Sequence, residues 1–316
     1  MQAKVQCKGY VKPTNTLKKS PKCVYTLTQN IQCLSNKKIL QVRDTLQNND
    51  FDILLFSEHW QSEANINLIK IPNFELADFY ARKNACRVGT CIFVKDNLGK
   101  YEKISGVQAL CTEFHFEVSC IKFIAENLIF CSFYRSPDGD IDIFLSKLED
   151  LLQLLTKNNK SRIVIAGDFN INFVVDNNIS SQCINMFTSF GFVKQIDAST
   201  RFSKTTATCI DNVFTNFDST QSDVVDLDLS DHCGIKSNFH MNPKPSSAFG
   251  RFRSKVNDTN IAKAKNDLKG INFVDILNNA PLKNKFGVFS ELFETVVNKY
   301  MPITEKKKKQ YTNTII

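Results

Sequence analysis

The run RIVIAGDFNINF, residues 162–173, leaves the chain few ways to fold. Ile163, Val164 and Ile165 gain from burial, whereas Asp168 and Asn170 gain nothing from it. Such a stretch reads as a core strand that breaks off at a polar end and then turns apolar again. Gly, Asp and Asn also populate ordinary turns, so the run by itself leaves a loop exit and a site equally open. Asp168 and Asn170 stand two apart and point to the same side of an extended backbone, where both can address one ligand.

The same pattern recurs along the chain. TQNIQ ends an apolar run on Asn30, FSEHW on Glu58, FYRSP on Tyr134 and Arg135, CIDNVF on Asp211, and LSDHCG on Asp231 and His232. Six such exits, in a chain with only four histidines, exceed what turn chemistry explains. The strands themselves read from β-branched and aromatic enrichment: FDILLFSEHW is short and buried on both faces, and VGTCIFVK, CTEFHFEVSC and NLIFCSFYRSP follow. Between them, KKILQVRDTLQN places Ile39, Val42 and Leu46 on one helical face. The clearest helix is DIDIFLSKLEDLLQLLTKN, with Ile143, Leu148, Leu151, Leu152 and Leu155 as its apolar stripe and Asp140 as its cap. Another helix is expected around residues 180–190. Strands and helices do not alternate regularly, which favours an α+β fold or layered sandwich over a doubly wound parallel sheet.

The chain is organised as a basic N-terminal arm (1–22), expected to be disordered, a domain over 23–240, and a basic segment with short helices over 241–316. The arm holds six lysines and no acids, and 241–316 holds 14 basic against 6 acidic residues. Basic ends suit phosphate contact, while solvated tails, including EKKKKQ at 305–310, account for them equally well. Pro243 and Pro245 mark the linker. The N-terminus lacks an apolar signal core and no run approaches a membrane span, so a nuclear or cytoplasmic protein is expected, not a secreted one. Eleven cysteines without a Cys-x-x-Cys pair favour buried, reduced thiols over zinc or a disulfide framework.

The polar exits supply carboxylates, amides, a phenol and an imidazole. Hard oxygen donors suit Mg²⁺ or Mn²⁺. Beside a phosphate, a carboxylate or imidazole can handle the proton of an attacking water. The set fits metal-assisted phosphodiester hydrolysis, and it fits serine or cysteine nucleophilic catalysis poorly because no nucleophile-elbow motif is present.

In order, Asn30, Glu58, Tyr134, Asp168-x-Asn170, Asp211 and Asp231-His232 resemble the endonuclease/exonuclease/phosphatase superfamily, which includes deoxyribonuclease I. Within it, QNIQCLSNK, LLFSEHW, YRSP, IVIAGDFN, TRFS…TCIDNVFTN and LSDHCGI are similar to the endonuclease domain of LINE-type (non-LTR, jockey-like) retrotransposons, over roughly residues 24–240. The resemblance implies a four-layered α/β/β/α sandwich of the deoxyribonuclease I-like type, here with a mostly helical C-terminal extension. It implies an Mg²⁺- or Mn²⁺-dependent endonuclease that nicks double-stranded DNA and leaves a 3′-hydroxyl able to prime reverse transcription. In these terms Asn30, Glu58 and Asp231 are the metal side. Asp168 activates water with Asn170 in support, Tyr134 meets the scissile phosphate, and His232, held by Asp211, stabilises the charged phosphorane. Arg135, Thr206 and Thr208 are candidate DNA contacts. Such domains usually lead into a reverse transcriptase that handles the element's RNA. Nothing here resembles the polymerase aspartates, so 241–316 is expected to be the connector toward it. Two other readings stay open: a superfamily phosphoesterase for abasic DNA, RNA or a small phosphoester, and a catalytically silent DNA-binding protein.

Overall fold

Strand β1 (Cys23–Asn30) runs parallel to β2 (Ile53–Ser57), and helix α1 (Asn36–Asn48) makes the crossover between them. In the computed structural model, the residues described are 23–83, 88–157, 161–218, 221–241, 253–254, 258–279 and 285–304. The basic arm, the two linker prolines and EKKKKQ lie outside them. The chain divides into two compact units, Met1–Asn242 and Pro243–Ile316.

The first unit continues through α2 (Glu63–Ile66), β3 (Phe74–Tyr80), β4 (Thr90–Lys95), β5 (Tyr101–Lys103), α3 (Val107–Leu110), β6 (Glu117–Phe123) and β7 (Leu128–Tyr134). Helix α4 (Ile141–Thr156), β8 (Arg162–Asp168), α5 (Asn178–Ser189) and β9 (Val193–Lys194) follow. The small hairpin β10 (Arg201–Phe202)–β11 (Ala207–Thr208), then β12 (Asp211–Thr215), β13 (Gln221–Val225) and β14 (Gly234–His240), close the unit. Two six-stranded sheets result, in the orders β13-β14-β1-β2-β4-β3 and β5-β6-β7-β8-β12-β9. Each has one parallel pair, β1–β2 or β7–β8, spanned by a helix, and the remaining pairs are antiparallel.

Alternation along the strands builds the layers. Ile53 and Leu55 of β2 join the core shared by the two sheets, whereas Leu54 and Phe56 join a second core with Val42 of α1 and Ile66 of α2. This is how a run apolar at every position becomes buried on both faces. On the opposite side of the unit, Phe144, Leu148, Leu151, Leu152 and Leu155 of α4 and Cys183 and Phe187 of α5 pack on the second sheet. The fold is therefore the four-layered α/β/β/α sandwich. Asp140 caps α4 by accepting from the Asp142 and Ile143 amides at 2.9 and 3.0 Å. Ile143, expected on the buried stripe, is exposed, and Phe144 one position on takes its place. Strand β6 starts at Glu117; the preceding Cys111–Phe116, read as strand from sequence, forms a turn closed by Thr112 and Phe116.

The second unit holds α6 (Asp258–Lys269), α7 (Phe273–Asn279) and α8 (Lys285–Tyr300), with β15 (Arg253–Ser254) paired to β16 (Ile303–Thr304). Within it, Lys299 Nζ and Tyr300 Oη both donate to Asp267, at 2.8 and 2.6 Å. Among the described residues no helix is long and apolar enough to cross a membrane.

Strand register sets where the polar exits go. Tyr134 pairs with Asp168, Asp168 with Asp211, and Asn30 with Ser57. Gly167 makes the first pairing possible: a Cβ there would lie 1.9 Å from the Phe133 carbonyl oxygen. A backbone contact explains this glycine. Gly167→Ala is expected to cost more than about 3 kcal/mol, because a rigid strand has to move. Gly191→Ala, at φ +79° with nothing within 4 Å, should lose only about 1–2 kcal/mol. Urea unfolding of the two variants checks the contrast.

Candidate active site

The loops after β1 and β2 stay paired beyond the sheet. Ile31 N donates to Ser57 O, and the Cys33 and Leu34 amides donate to the carbonyls of Glu58 and His59, at 2.9–3.0 Å. To turn there, Glu58 and Trp60 take positive φ (56° and 57°), a conformation costly for residues with a Cβ. His59 fixes the turn from below. It is fully buried; its Nε2 lies 2.9 Å from the Tyr80 carbonyl and its Nδ1 accepts from the Gln61 amide at 3.0 Å. Burial pulls its pKa down to about 4, so the ring is neutral with the proton on Nε2. Gly89 is packed against it; a Cβ there would lie 2.3 Å from Nε2.

Glu58 is then presented at the seam between the sheets. Its carboxylate accepts from Asn30 Nδ2 at 2.9 Å and from Trp60 Nε1 at 3.1 Å. The same Asn30 amide donates across the seam to Asp168 Oδ2 at 2.9 Å. One side chain thus binds a carboxylate from each sheet.

On the second sheet the segment Gly167-Asp168-Phe169-Asn170 divides its duties by residue. Phe169 turns into the core, 4.7 Å from the Phe133 ring in a stacked pair and edge-on to Phe173, Phe187 and Phe214. Asn170 takes φ +49°, donates its amide to Asp168 Oδ1 at 2.9 Å and its side-chain Nδ2 to the Arg135 carbonyl at 2.6 Å. Asp168, held from both sides, is buried. Burial, then the neighbouring Asp211 charge, raises its pKa to about 7, although His232 and Asn30 oppose the rise. Tyr134 is buried beside it, and burial together with the Glu58 and Asp168 charges pushes its phenol well above the usual range. It remains an O–H donor at neutral pH.

His232 precedes β14 in the first sheet, and its Nδ1 lies 2.9 Å from Asp211 Oδ2 in the second. Thr200 Oγ1 donates to that same Asp211 oxygen at 2.7 Å and accepts the Asp211 amide, which anchors the carboxylate. Burial alone would lower the imidazole pKa, but the Asp211 charge and hydrogen bond lift it to about 9. The ring is a cation at neutral pH, with Nδ1–H given to Asp211.

Asp231 sits at the rim, half exposed. Gln32 Nε2 donates to its Oδ1, and Arg201 donates to its Oδ2 from Nε at 3.1 Å and Nη2 at 2.8 Å. Arg201, Asp231, Asn170, Thr206 and Thr208 line one cavity of about 330 Å³. A larger cavity of about 570 Å³ beside α1 contains none of these groups. Arg135 is placed differently from its sequence expectation. Its guanidinium is buried, donates to the Gly139 and Asn170 carbonyls at 2.7 and 3.4 Å and lies over the Phe144 ring, so it braces loops.

Two features escaped the sequence reading. Arg201 belongs to the TRFS stretch, yet its ion pair with Asp231 spans thirty positions. The other is a buried ion pair at 2.5 Å between Arg82 and Glu117; Glu117 stands opposite Tyr134 in the sheet, and Arg82 also donates to Ser136 Oγ. No spacing rule announces it.

Among the described residues, Asp168, Asp211 and His232 alone bring three ligating atoms within 4.8 Å of one another. Their bonding suits proton handling better than cation binding, because the imidazole is protonated and bound to Asp211. The oxygen donors at Glu58 and Asn30, with Asp231 at the rim, fit a hard divalent cation chemically.

A profile of the endonuclease/exonuclease/phosphatase family matches residues 27–232. The chain belongs to this family. The matched span contains every one of the polar exits. The sandwich is similar to the endonuclease domain of TRAS1, a telomere-specific non-LTR retrotransposon (TM-score 0.53, 18% identity, 70% of this chain and 100% of that one). It is similar also to the AP endonuclease LMAP from Leishmania major (0.60, 13%, 74% and 92%). A third likeness is to the 3′ phosphatase NExo from Neisseria bound to a product DNA hairpin (0.54, 16%, 68% and 99%). At these identities the likeness is one of fold. A search of curated protein sequences gives no match.

Two titrations test this geometry. The His232 ring should titrate by NMR near 9, and in Asp211→Asn its pKa should fall steeply, because the pair's attraction is removed while burial still disfavours the cation. His59 acts on stability with the opposite sign. Its folded pKa of about 4 lies below the ordinary 6.5. Stability is therefore full above pH 6.5 and drains as pH falls toward 4, by at most about 3 kcal/mol. Urea unfolding at pH 7, 5.5 and 4 should show that loss, and His59→Gln should flatten it.

Proposed function

We propose that the domain is a divalent-cation-dependent phosphodiesterase that nicks double-stranded DNA, leaving 3′-hydroxyl and 5′-phosphate ends. The observation that carries this reading is the convergence of six polar side chains from both sheets: Asn30 bonds Glu58 and Asp168, His232 bonds Asp211, and strand pairing sets Tyr134 and Asp211 beside Asp168. The likeness to a retrotransposon endonuclease domain and to two DNA-acting enzymes supports DNA as the substrate. The excess of basic residues at both chain ends adds to it.

The steps follow from the side chains. Asp168, with a pKa near neutrality, accepts the proton of a water attacking the phosphorus, the condition in which a general base works best. Asn170 fixes that carboxylate through its backbone amide. The phosphorane gathers negative charge, and the His232 cation, kept charged by Asp211, faces it as a fixed donor. Tyr134 donates its phenolic hydrogen to a phosphate oxygen. Glu58 and Asn30 would hold the cation, with Asp231 at its outer side, and the cation would supply Lewis-acid polarisation of the phosphate. In a longer parent protein, the new 3′-hydroxyl would serve as a primer for copying RNA.

Purified protein should nick supercoiled plasmid with Mg²⁺ and stop on addition of EDTA. Asp168→Ala and His232→Ala should each lose at least ~10²-fold in rate, the scale of a removed acid–base group. Variants that nick as well as the parent would sink the role assignments. Faster turnover of an abasic duplex or a small phosphoester than of intact DNA would replace the substrate.

A further inference from the structure

Arg201 has no part in the cluster just described, yet the structure sets it at the mouth of that cluster. Its backbone bridges to His232 across the start of β10, so its Cα is tied to the active-site edge. Its guanidinium reaches Asp231 with two N–H groups that converge on a single oxygen, Oδ2. A carboxylate and a guanidinium that recognise each other fully pair two nitrogens with two oxygens. Here the second Asp231 oxygen belongs to Gln32 instead, with His232 Nε2 at 3.8 Å. Three of the five guanidinium N–H groups have no bond among the described residues.

The pair is also accessible. Both side chains are more than two-fifths exposed (42% and 44%), and an exposed ion pair contributes little net stability, which makes it readily exchanged. The cavity beside it, about 330 Å³, is bordered by the Thr206, Thr208 and Ser203 side chains and by Asn170 of the site segment. That volume admits a phosphate with its sugar. Without Arg201, the half-exposed Asp231 would present its negative charge to an incoming phosphate. The charges of Asp168 and Glu58 also act on the guanidinium, so it stands within electrostatic range of the reacting centre.

We infer that Arg201 grips a DNA phosphate next to the cut, and that its ion pair with Asp231 is a resting arrangement which the phosphate displaces. This rests on the proposed DNA-nicking function and adds to it a residue that selects a polyanionic substrate. A guanidinium suits the task because its planar fork can bind two phosphate oxygens at once, whereas an ammonium acts as a point charge. On release, Asp231 is left facing His232 and Gln32.

The test uses the full chain and a fluorescent 20-base-pair duplex. Anisotropy without divalent cations, between 50 and 200 mM KCl, is read beside plasmid nicking with Mg²⁺. Arg201→Ala should weaken binding about tenfold and reduce the salt slope by about 0.9, the value for one lost phosphate contact. In nicking, KM should rise more than kcat falls. Arg201→Lys should keep the salt slope but recover only part of the affinity, and Asp231→Ala should bind more tightly than the parent. Both Arg201 variants should unfold at the parental temperature. If Arg201→Ala slows nicking while affinity and salt slope stay parental, Arg201 merely positions Asp231 and the inference is overturned. A parent that nicks DNA with unaltered kinetics in Arg201→Ala also overturns the inference alone. A parent that neither binds nor nicks DNA overturns the proposed function, and the inference with it.

Discussion

Two hydrogen-bonded links across the gap between the sheets hold this site together: Asn30 to Asp168, and His232 to Asp211. Elsewhere the sheets meet mainly through apolar side chains, which pack well but carry little directional information. At this edge the contact becomes polar, and its geometry is fixed to within a hydrogen bond. Asp168 is a core residue by burial and, in the proposed reaction, the group that takes the proton. A lone buried carboxylate would be expensive. The Asn30 amide and the His232 cation offset that cost while leaving the pKa near neutral.

The surrounding structure serves to keep these links in place. Glu58 and Asn170 sit in left-handed backbone conformations that a free chain would avoid. Each is bracketed by rigid neighbours: His59 and Gly89 behind Glu58, and Phe169 in its aromatic nest before Asn170. The strain is local and the restraint comes from the core. This division explains why the site alternates polar and apolar residues so closely in sequence.

Much of this was legible in the residues themselves. The polar exits and their order gave the family, the sandwich and the cluster members, because strand ends are local features and the residues that end them are chemically unusual. Other elements were not legible for equally physical reasons. Strand β3 carries a bulge between Leu76 and Asp78 and a buried aspartate, so its alternation breaks. Edge strand β13, QSDVV, is half polar, and α6 is too hydrophilic to show an apolar stripe. Ile143 lies in the first turn of α4, where the helix still faces solvent and periodicity cannot say so. Arg135 followed a site tyrosine and looked like a phosphate contact, but only its surroundings reveal that two loop carbonyls take it. Pairings such as Arg201 with Asp231, or Arg82 with Glu117, are set by topology and have no local signature.

The placement of β14 has a consequence for how the protein is made. Its partner in the sheet is β1, so Cys23 faces His240 across more than two hundred residues of chain. Contacts this distant form late, since the loop between them has to close first. His232 arrives with that same strand, after Asn30, Glu58 and Asp168 have long been synthesised. A growing chain emerging from the ribosome therefore carries an incomplete cluster until its final sheet strand docks. The cluster is complete only once that strand has docked, and fragments that stop short of residue 232 have no His232 with which to build it.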